Sequence, residues 1–560
     1  MKSPTIQYGR TTPSLRLICT ALAAAVSLAA CGGGGGGGGG STPPPVSTTP
    51  TTPTTPTTPT TPTTPTTPTT PVNPPVGSNP TGPVNPSAPD PDIATLGDAF
   101  DTYWNYCATP RKGTDPYTGK AYPDKQGTLR DELTFLRAWS NQYYLWYNEI
   151  PTTFKMADFT SPTAYFEKLK TPVEISAGVP KDKFHFTYTS ADWDKLSTSG
   201  IELGYGVTWT SSGATAPRTW QASIIEAGSP AAAAGLRRGD QLVLIDGVDF
   251  INATDTASVE KINAALFPVT AGESHSFTVK RGGANVPAVT LQAKDVTALS
   301  VKNTKVIDTP TGKVGYLSFE NHNSVAERQL IDSFTTLKTA GVTDLVLDMR
   351  YNGGGLLNIA SEVAYMVAGP ASTGKVFERL QYNNKIEAQQ TAEIIKFEST
   401  AYGFSTPSNS VPRGTALPSL GLTRVTILTT SGTCSASEAV INALRGVDVQ
   451  VNLIGGATCG KPYGFTPVPN CGTTYFSIEF KGVNAKGVGE YDNGFAPTCA
   501  VADDLTRELG DTNESLLATA LSYRANGVCP AQARTSVQAM AARTQVRPKV
   551  TQIAIHTKAR

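Results

Sequence analysis

The sequence lacks any strong imbalance of charge, and histidine is scarce. Its 560 residues carry 46 Lys and Arg against 45 Asp and Glu, a net charge of +1, with only four histidines. This near-neutral balance gives no electrostatic argument for a nucleic-acid partner. The few histidines and the absence of a Cys-x-x-Cys pair argue against a zinc site. We therefore expect no metal, no cofactor and no nucleic acid.

Residues 32–89 lack charged side chains altogether. They contain nine consecutive glycines and then eight copies of Thr-Thr-Pro. Such a stretch buries too little apolar surface to fold, and proline at every third residue favours an extended chain. Residues 31–92 are therefore predicted to be a disordered tether. Beyond them no apolar run approaches the ~20 residues of a membrane-spanning helix.

The first 30 residues read as an export signal, with basic residues ahead of the apolar run 17–28. The run ends in Leu-Ala-Ala-Cys, which resembles the lipobox of bacterial lipoproteins and makes Cys31 the expected lipidation site. An ordinary secretory signal is the alternative. Because Gly32 follows rather than Asp, the resemblance implies an outer-membrane anchor, facing the periplasm or the cell surface.

Six cysteines remain outside the signal and the lipidation site. An even number in an exported chain predicts disulfides, with 15 full pairings open. The six are Cys107, Cys434, Cys459, Cys471, Cys499 and Cys529.

The globular part divides into three regions by pattern. Residues 93–198 are predicted to be a helical domain, on the amphipathic spacing within 129–147. Residues 199–297 show short strands broken by glycine. Residues 298–530 alternate strands and helices, which predicts an α/β sheet with strands at 314–319, 345–348, 425–428 and 451–454. Residues 531–560 hold six basic and no acidic residues and are expected to be a solvated tail.

The second region resembles a PDZ domain of the bacterial protease type. The resemblance rests on residues 229–240, SPAAAAGLRRGD, followed by an apolar strand and an Asp-Gly turn. It implies a loop whose backbone N–H groups bind a peptide carboxylate while the peptide extends the sheet. The loop residues are Leu203, Gly204, Tyr205, Gly206 and Val207. A PDZ-like fold that binds no peptide is the alternative.

Two segments of the third region carry chemistry. Residues 348–355, DMRYNGGG, follow a strand, and their glycines leave backbone amides free to stabilise an oxyanion. Residues 430–438, TSGTCSASE, lie between a strand and a helix, where a serine is exposed beside a free amide. Lys461, within the otherwise uncharged run 453–468, is a candidate base if burial neutralises it.

The whole pattern resembles the carboxyl-terminal processing (tail-specific) serine peptidases. That family joins a helical N-terminal part, a PDZ domain and a ClpP/crotonase-like α/β core, and cuts proteins with a Ser–Lys dyad. The resemblance implies Ser435 as nucleophile, Lys461 as base, Ala436 as one oxyanion donor and Gly354 or Gly355 as the other. It predicts a serine endopeptidase of exported proteins that captures peptides through its PDZ domain.

The chain departs from the family at several positions, and these keep alternatives open. Phe465 stands where the family has a Gln or Glu that orients the lysine, so a non-catalytic peptide-binding lipoprotein is the competing class. Cys434 beside the serine is a rival nucleophile unless it is disulfide-bonded. Cys459 is expected to pair with Cys434 or Cys471. His185, placed like the histidine of tricorn-like peptidases, is the alternative base.

Overall fold

The computed structural model describes residues 96, 99–211, 213, 215–388, 393–404, 411–531, 544–546 and 553–555. The predicted signal peptide, Cys31 and the tether lie outside these residues. Within the described ranges, no helix combines the length and the apolar character needed to cross a membrane.

The N-terminal region mixes short helices and strands, so it is less purely helical than its pattern predicts. The predicted long helix is α2; Thr128 caps its first turn, and the helix ends at Tyr143 because Tyr144 adopts an extended backbone. The helices are α1 (Ala99–Tyr103), α2 (Leu129–Tyr143), α3 (Pro162–Phe166) and α4 (Ser190–Ser199), and the strands are β1 (Tyr106–Cys107), β2 (Lys125–Gln126), β3 (Glu174–Ser176), β4 (Val179–Pro180) and β5 (Phe186–Thr189).

The second region has a separate apolar core and a sheet in the order β12-β11-β9-β8-β7. The predicted peptide-binding loop joins β6 to β7. The strands are β6 (Ile201–Gly204), β7 (Val207–Ser211), β8 (Trp220–Ile225), β9 (Gln241–Ile245), β10 (Val248–Asp249), β11 (Ser274–Arg281), β12 (Ala284–Asn285), β13 (Val289–Gln292) and β14 (Lys294–Thr297), and the helices are α5 (Pro230–Ala233) and α6 (Thr256–Leu266).

The third region is built on a six-stranded sheet, β15-β16-β17-β21-β22-β27, parallel from β16 onward. All four predicted strands lie in it. Its strands are β15 (Val301–Thr309), β16 (Gly312–Phe319), β17 (Asp344–Asp348), β18 (Gly354–Leu356), β19 (Val376–Tyr382), β20 (Glu393–Lys396), β21 (Arg424–Thr429), β22 (Gln450–Gly455), β23 (Tyr463–Gly464), β24 (Val468–Asn470), β25 (Thr473–Phe476), β26 (Phe480–Val483) and β27 (Cys499–Ala500). Its helices are α7 (Ala326–Thr339), α8 (Leu357–Ala368), α9 (Asn384–Glu387), α10 (Ala436–Gly446) and α11 (Ser515–Asn526).

Two short strands follow near the C-terminus, β28 (Thr544–Val546) and β29 (Ile553–Ile555). β28 pairs with β7 and β29 pairs with β18. The expectation of a solvated tail is therefore wrong for these two segments, whose backbones are used in sheet pairing.

The N-terminal region is joined to the third region by a sheet and by a disulfide. β5 pairs antiparallel with β25, and Cys107 is bonded to Cys471 across 364 residues of sequence. The other disulfides in the described chain are Cys434–Cys459 and Cys499–Cys529. These links hold the segment just before β5 against the loop that follows β22.

A buried arginine organises the carboxyl end of β17. Arg350 is 1% exposed and binds Asp348 with two of its nitrogens, at 2.9 Å each. It also donates to both carboxylate oxygens of Glu514 and to Asp503. Three carboxylates around one guanidinium, all hydrogen-bonded, make this charge tolerable in a dry interior.

The same cluster reaches the PDZ region through Arg238. Its guanidinium donates to Asp503 at 2.9 Å and to the Tyr351 hydroxyl at 2.7 Å, and Tyr351 in turn bonds Asp503. The second arginine of the SPAAAAGLRRGD segment therefore contacts the third region directly.

Replacing Arg350 by Met should lower the free energy of unfolding by about 3–5 kcal/mol, because Asp348 and Glu514 would stay buried without a cation. Urea denaturation measures this. Arg328→Met is the control, since Arg328 pairs with Asp332 at the exposed surface and its loss should cost less than about 1 kcal/mol. Equal small losses would contradict the assignment of Arg350 as an organising charge.

Candidate active site

Ser435 lies in a strained turn between β21 and α10. Its backbone has φ +61°, which non-glycine residues rarely adopt, and it immediately precedes the helix. Asn352 fixes the turn, since its carbonyl oxygen accepts from the Cys434 N–H and the Ser437 hydroxyl, both at 3.0 Å. The Ser435 Oγ is buried and has no hydrogen-bond partner among the described residues. This is the placement expected of a nucleophile.

Glu438 holds the serine turn and the lysine loop together. Its buried carboxylate accepts from the Ser435 N–H at 2.9 Å, and from the N–H groups of Gly460 and Lys461 at 2.9 and 2.8 Å. The Thr458 hydroxyl donates to it as well, at 2.5 Å. Burial raises the pKa of Glu438, and these donors oppose that rise. Glu438 is thus a positioning residue for both members of the predicted dyad.

Lys461 is fully buried, at 1% exposure. Burial lowers its pKa from 10.5 to about 7, while the charges of Asp182 and Glu438 oppose that shift. Its Nζ lies 4.3 Å from the ring centre of Phe465 and 4.8 Å from that of Phe184. The neutral lysine predicted from an uncharged sequence context is therefore supported by its surroundings. Phe465 packs on the amine instead of hydrogen-bonding it.

Ser435 and Lys461 line one small cavity. Its walls also include Leu357, Glu378 and Tyr491. Burial raises the pKa of Glu378 to about 8, so this acid is mostly neutral at pH 7, and its Oε2 has no hydrogen-bond partner within the described chain. The cavity therefore presents a nucleophile and a weak base to a site without a fixed negative charge of its own.

The structure separates the two candidate glycine donors. The Gly354 N–H donates to the Asn352 side chain at 3.0 Å and is used there. The Gly354 carbonyl and the Leu356 N–H both bond to the His322 backbone, so the N–H of Gly355 points to the opposite edge of β18. Of the two predicted donors, Gly355 is therefore the one whose N–H is not taken by the Asn352 side chain. The Ala436 N–H belongs to the first helical turn, where amides lack helical partners.

His322 was not singled out by the sequence, but it supports this strand. Its Nδ1 donates to the Asn352 Oδ1 at 3.0 Å, which leaves Nε2 unprotonated. Burial lowers its pKa to about 3, so the ring stays neutral. Its backbone carbonyl would lie 2.7 Å from a Cβ at Gly355, where φ is +142°. Only glycine fits at this donor position.

Cys434 is bonded to Cys459, which removes it as a rival nucleophile. Of the two expected partners of Cys459, Cys434 is thus the one used, and Cys471 pairs with Cys107. The Cys434–Cys459 disulfide joins the residue before the serine to the loop that carries the lysine.

His185 does not face the nucleophile. Its Nε2 donates to the Phe166 carbonyl at 2.7 Å, and its Nδ1 lies 3.5 Å from the Ser477 hydroxyl. The ring stacks on Phe166, and burial lowers its pKa to about 4. The alternative in which His185 is the base is wrong for this arrangement. Two residues close to His185 in sequence do interact with the lysine: the charge of Asp182 acts on Lys461, and the ring of Phe184 lies against its amine.

The predicted peptide-binding loop lies between the PDZ core and α6. Tyr205 is buried and its hydroxyl donates to the Ala265 carbonyl of α6 at 2.9 Å. At Gly206 φ is +73°, and a Cβ there would lie 2.2 Å from Ser229. The loop is therefore fixed from both sides, which is useful for presenting backbone amides to a ligand.

Comparison with known families gives three adjacent matches. Residues 134–188 match the Peptidase S41 N-terminal domain, residues 199–269 match the PDZ domain, and residues 313–498 match Peptidase family S41. They confirm the predicted multi-domain α/β fold.

Individual relatives of this chain are named as carboxyl-terminal-processing proteases. The chain is 34% identical over 137 residues to the carboxyl-terminal-processing protease of Picosynechococcus sp., covering 24% of this chain and 32% of that protein. For the protein of the same name from Synechocystis sp., identity is 29% over 248 residues, covering 44% and 50%. The chain thus spans a third to a half of the length of these relatives. A crystal structure of a putative S41 protease from Bacteroides fragilis aligns with a TM-score of 0.54 and 24% identity, over 73% of this chain and 98% of that one.

Activity should rise with pH through the titration of Lys461. A lysine accepts the serine proton only when neutral, so kcat/KM should increase around pH 7 and then level off. Asp182→Asn removes a charge that raises this pKa, so the midpoint should move to lower pH. Glu149→Gln is the control: it removes the same charge from the same region, where Glu149 instead pairs with Lys181. Identical midpoints in Asp182→Asn and the unmodified chain would contradict the role of Asp182.

Removing the disulfide beside the serine should cost activity as well as stability. Cys434→Ser with Cys459→Ser should lower the free energy of unfolding by about 3–4 kcal/mol and lower kcat/KM per folded molecule. The matched control is Cys499→Ser with Cys529→Ser, which opens a bridge of similar span, 30 residues against 25. The control should lose similar stability and keep its kcat/KM. Equal activity in both double variants would refute the bracing role.

Proposed function

We propose that this chain, a serine peptidase of family S41 with a PDZ domain, is an endopeptidase that cleaves exported proteins of the tail-specific type with Ser435 and Lys461. One observation supports the proposal most directly. A strained, buried serine shares a cavity with a fully buried lysine whose pKa is about 7. A weak base of this kind is what a serine needs when no histidine is available.

The reaction follows from the positions of these groups. Neutral Lys461 takes the proton of the Ser435 hydroxyl as Oγ attacks the scissile carbonyl carbon. The N–H groups of Ala436 and Gly355 bind the resulting oxyanion. The C–N bond then breaks and the lysine proton passes to the leaving amine. A water molecule attacks the ester, giving one proton back to Lys461 and then to Ser435, and releases the second peptide.

Phe465 does not by itself favour the competing class of a non-catalytic binding protein. The family's polar partner of the lysine is replaced here by two aromatic rings, Phe184 and Phe465, and by the charges of Asp182 and Glu438. Burial lowers the pKa of the amine to about 7, the two carboxylates limit that fall, and the two rings pack on the amine.

Substrate capture is assigned to the PDZ loop of Leu203, Gly204, Tyr205, Gly206 and Val207. A bound peptide would extend the sheet at β7 and direct its chain toward the core. We infer that the partners are proteins with accessible C-termini or unfolded segments.

Cleavage of an unfolded protein with an apolar C-terminus tests the dyad. Ser435→Ala and Lys461→Ala should each lower kcat/KM by roughly 10³- to 10⁶-fold, with the near-UV circular dichroism of the folded protein retained. Lys481→Ala is the matched control and should cleave normally, because Lys481 is half-buried and pairs with the exposed Glu490. Equal cleavage by all variants would remove the dyad, and no cleavage by any would favour the binding class.

We also propose that Cys31 carries a lipid and anchors the protein in the cell envelope, in the outer membrane, with residues 31–92 as the tether. The small residues before Cys31 and the Gly after it support this. Changing Cys31→Ser should move the protein from the membrane fraction to the soluble fraction of an expressing Gram-negative cell. A chain that fractionates identically with and without Cys31 would contradict the anchor.

A further inference from the structure

One segment of this chain occupies sheet edges at both places where a peptide is expected to bind. β28 extends the PDZ sheet beside β7, and β29 extends β18, the strand that carries Gly354 and Gly355. The two strands are separated by only six residues of sequence. One short segment therefore contacts both predicted peptide sites.

At the PDZ domain, β28 has the geometry of a bound peptide. It runs antiparallel to β7, with Thr544 opposite Ser211 and Val546 opposite Trp209. It therefore runs toward the peptide-binding loop, as a ligand's C-terminal end would. Val546 is half-buried and packs against the PDZ apolar core, to which Trp209 belongs. Main-chain pairing plus an apolar side chain in a groove is how strand-addition sites obtain affinity and selectivity.

At the peptidase core, β29 covers the edge that carries the free donor. It pairs parallel with β18, and Ala554 lies opposite Gly355. The other edge of β18 is bonded to the His322 backbone, so β29 takes the side to which the Gly355 N–H points. The backbone of β29 also lies close to β23, which begins two residues after Lys461, and to α10, which begins one residue after Ser435. A substrate could not use this edge while β29 is in place.

We propose that the two strands β28 and β29, residues 544–546 and 553–555, are an intramolecular ligand of the PDZ groove and the β18 edge, and that they inhibit the enzyme until a substrate displaces them. The inference rests on the proposed peptidase function for its kinetic consequence, but not for the binding itself. Because the segment is covalently attached, its effective concentration at the two edges is of millimolar order, so even a weak peptide competes well.

The segment has the composition for this role. Residues 543–560 contain five basic residues and no acidic residue; β28 ends in the apolar Val546, and β29 alternates apolar and small residues. It ends in Arg560, beyond the second strand. The inhibition is thus competitive in kind: occupancy by the chain's own backbone excludes another backbone from the same hydrogen-bonding groups.

Truncation tests the kinetic prediction. A chain ending at Ala542 should show a KM for an unfolded substrate lowered about tenfold relative to the full chain, with kcat little changed. Two full-length variants guard against misfolding of the shortened chain. Ala554→Pro removes an N–H from β29 and Val546→Asp puts a charge into the PDZ groove, and each should lower KM in the same direction. Ala541→Pro, which precedes both strands, is the matched control and should behave as the full chain.

Binding tests the occupancy without any need for cleavage. A fluorescent peptide of residues 543–560 is added to the Ser435→Ala chain ending at Ala542, and anisotropy is measured. Saturable binding is expected, with none by a scrambled peptide and at least tenfold weaker binding to the full-length Ser435→Ala chain. Absence of binding to the shortened chain, or equal binding to both chains, overturns the proposal. Binding without cleavage by any chain supports the occupancy and contradicts the peptidase function, so the two failures are distinguishable.

Discussion

The carboxylate of Glu438 is the constraint on which the site depends. Two loops separated by more than 20 residues of sequence must present a serine and a lysine to one cavity, and neither side chain holds the other in place. Glu438 solves this with backbone donors from both loops, so the dyad is positioned by main-chain geometry rather than by the reacting groups. The Cys434–Cys459 bridge repeats the same connection covalently. The bonds to Glu438 are made by backbone N–H groups of the two loops and not by the Ser435 hydroxyl.

The surroundings that set the pKa of Lys461 come from two regions of the chain. Lys461 comes from the peptidase core, but Phe184 and Asp182 come from the N-terminal region, where β5 joins the core through β25. Burial lowers the pKa of the lysine, and the nearby carboxylates keep it from falling further. The balance of these opposed effects, rather than one hydrogen-bonding partner, sets the pKa near neutrality. The N-terminal region therefore contributes directly to the surroundings of the proposed base.

Local patterns predicted the parts of this molecule that depend on local sequence. The four central strands, α2 and the PDZ motif follow from periodicity and turn chemistry, and Ser435 and Lys461 follow from motifs close to strand ends. What could not be read from the sequence are pairings between distant residues. Asp182 lies 279 residues from Lys461, and Glu514 lies 164 residues from Arg350. The sequence around each of these acids contains no pattern that identifies its partner. His185 was considered for its position in the chain, yet its ring nitrogens face Phe166 and Ser477, a fact of packing alone. Similarly, Gly354 and Gly355 look equivalent in sequence, and only the Asn352 side chain distinguishes them.

The link between the ends of the globular part also fixes when the enzyme can first act. Cys107 must wait for Cys471, and β5 must wait for β25, so nearly the whole chain has to be made before the segment with Asp182 and Phe184 can close over Lys461. Until then the burial that lowers the pKa of Lys461 is not in place. An unfinished chain therefore lacks the buried amine that the proposed mechanism requires. The long-range closure of the fold therefore sets the order of assembly: the surroundings of the proposed base are complete only after β25 has been synthesised.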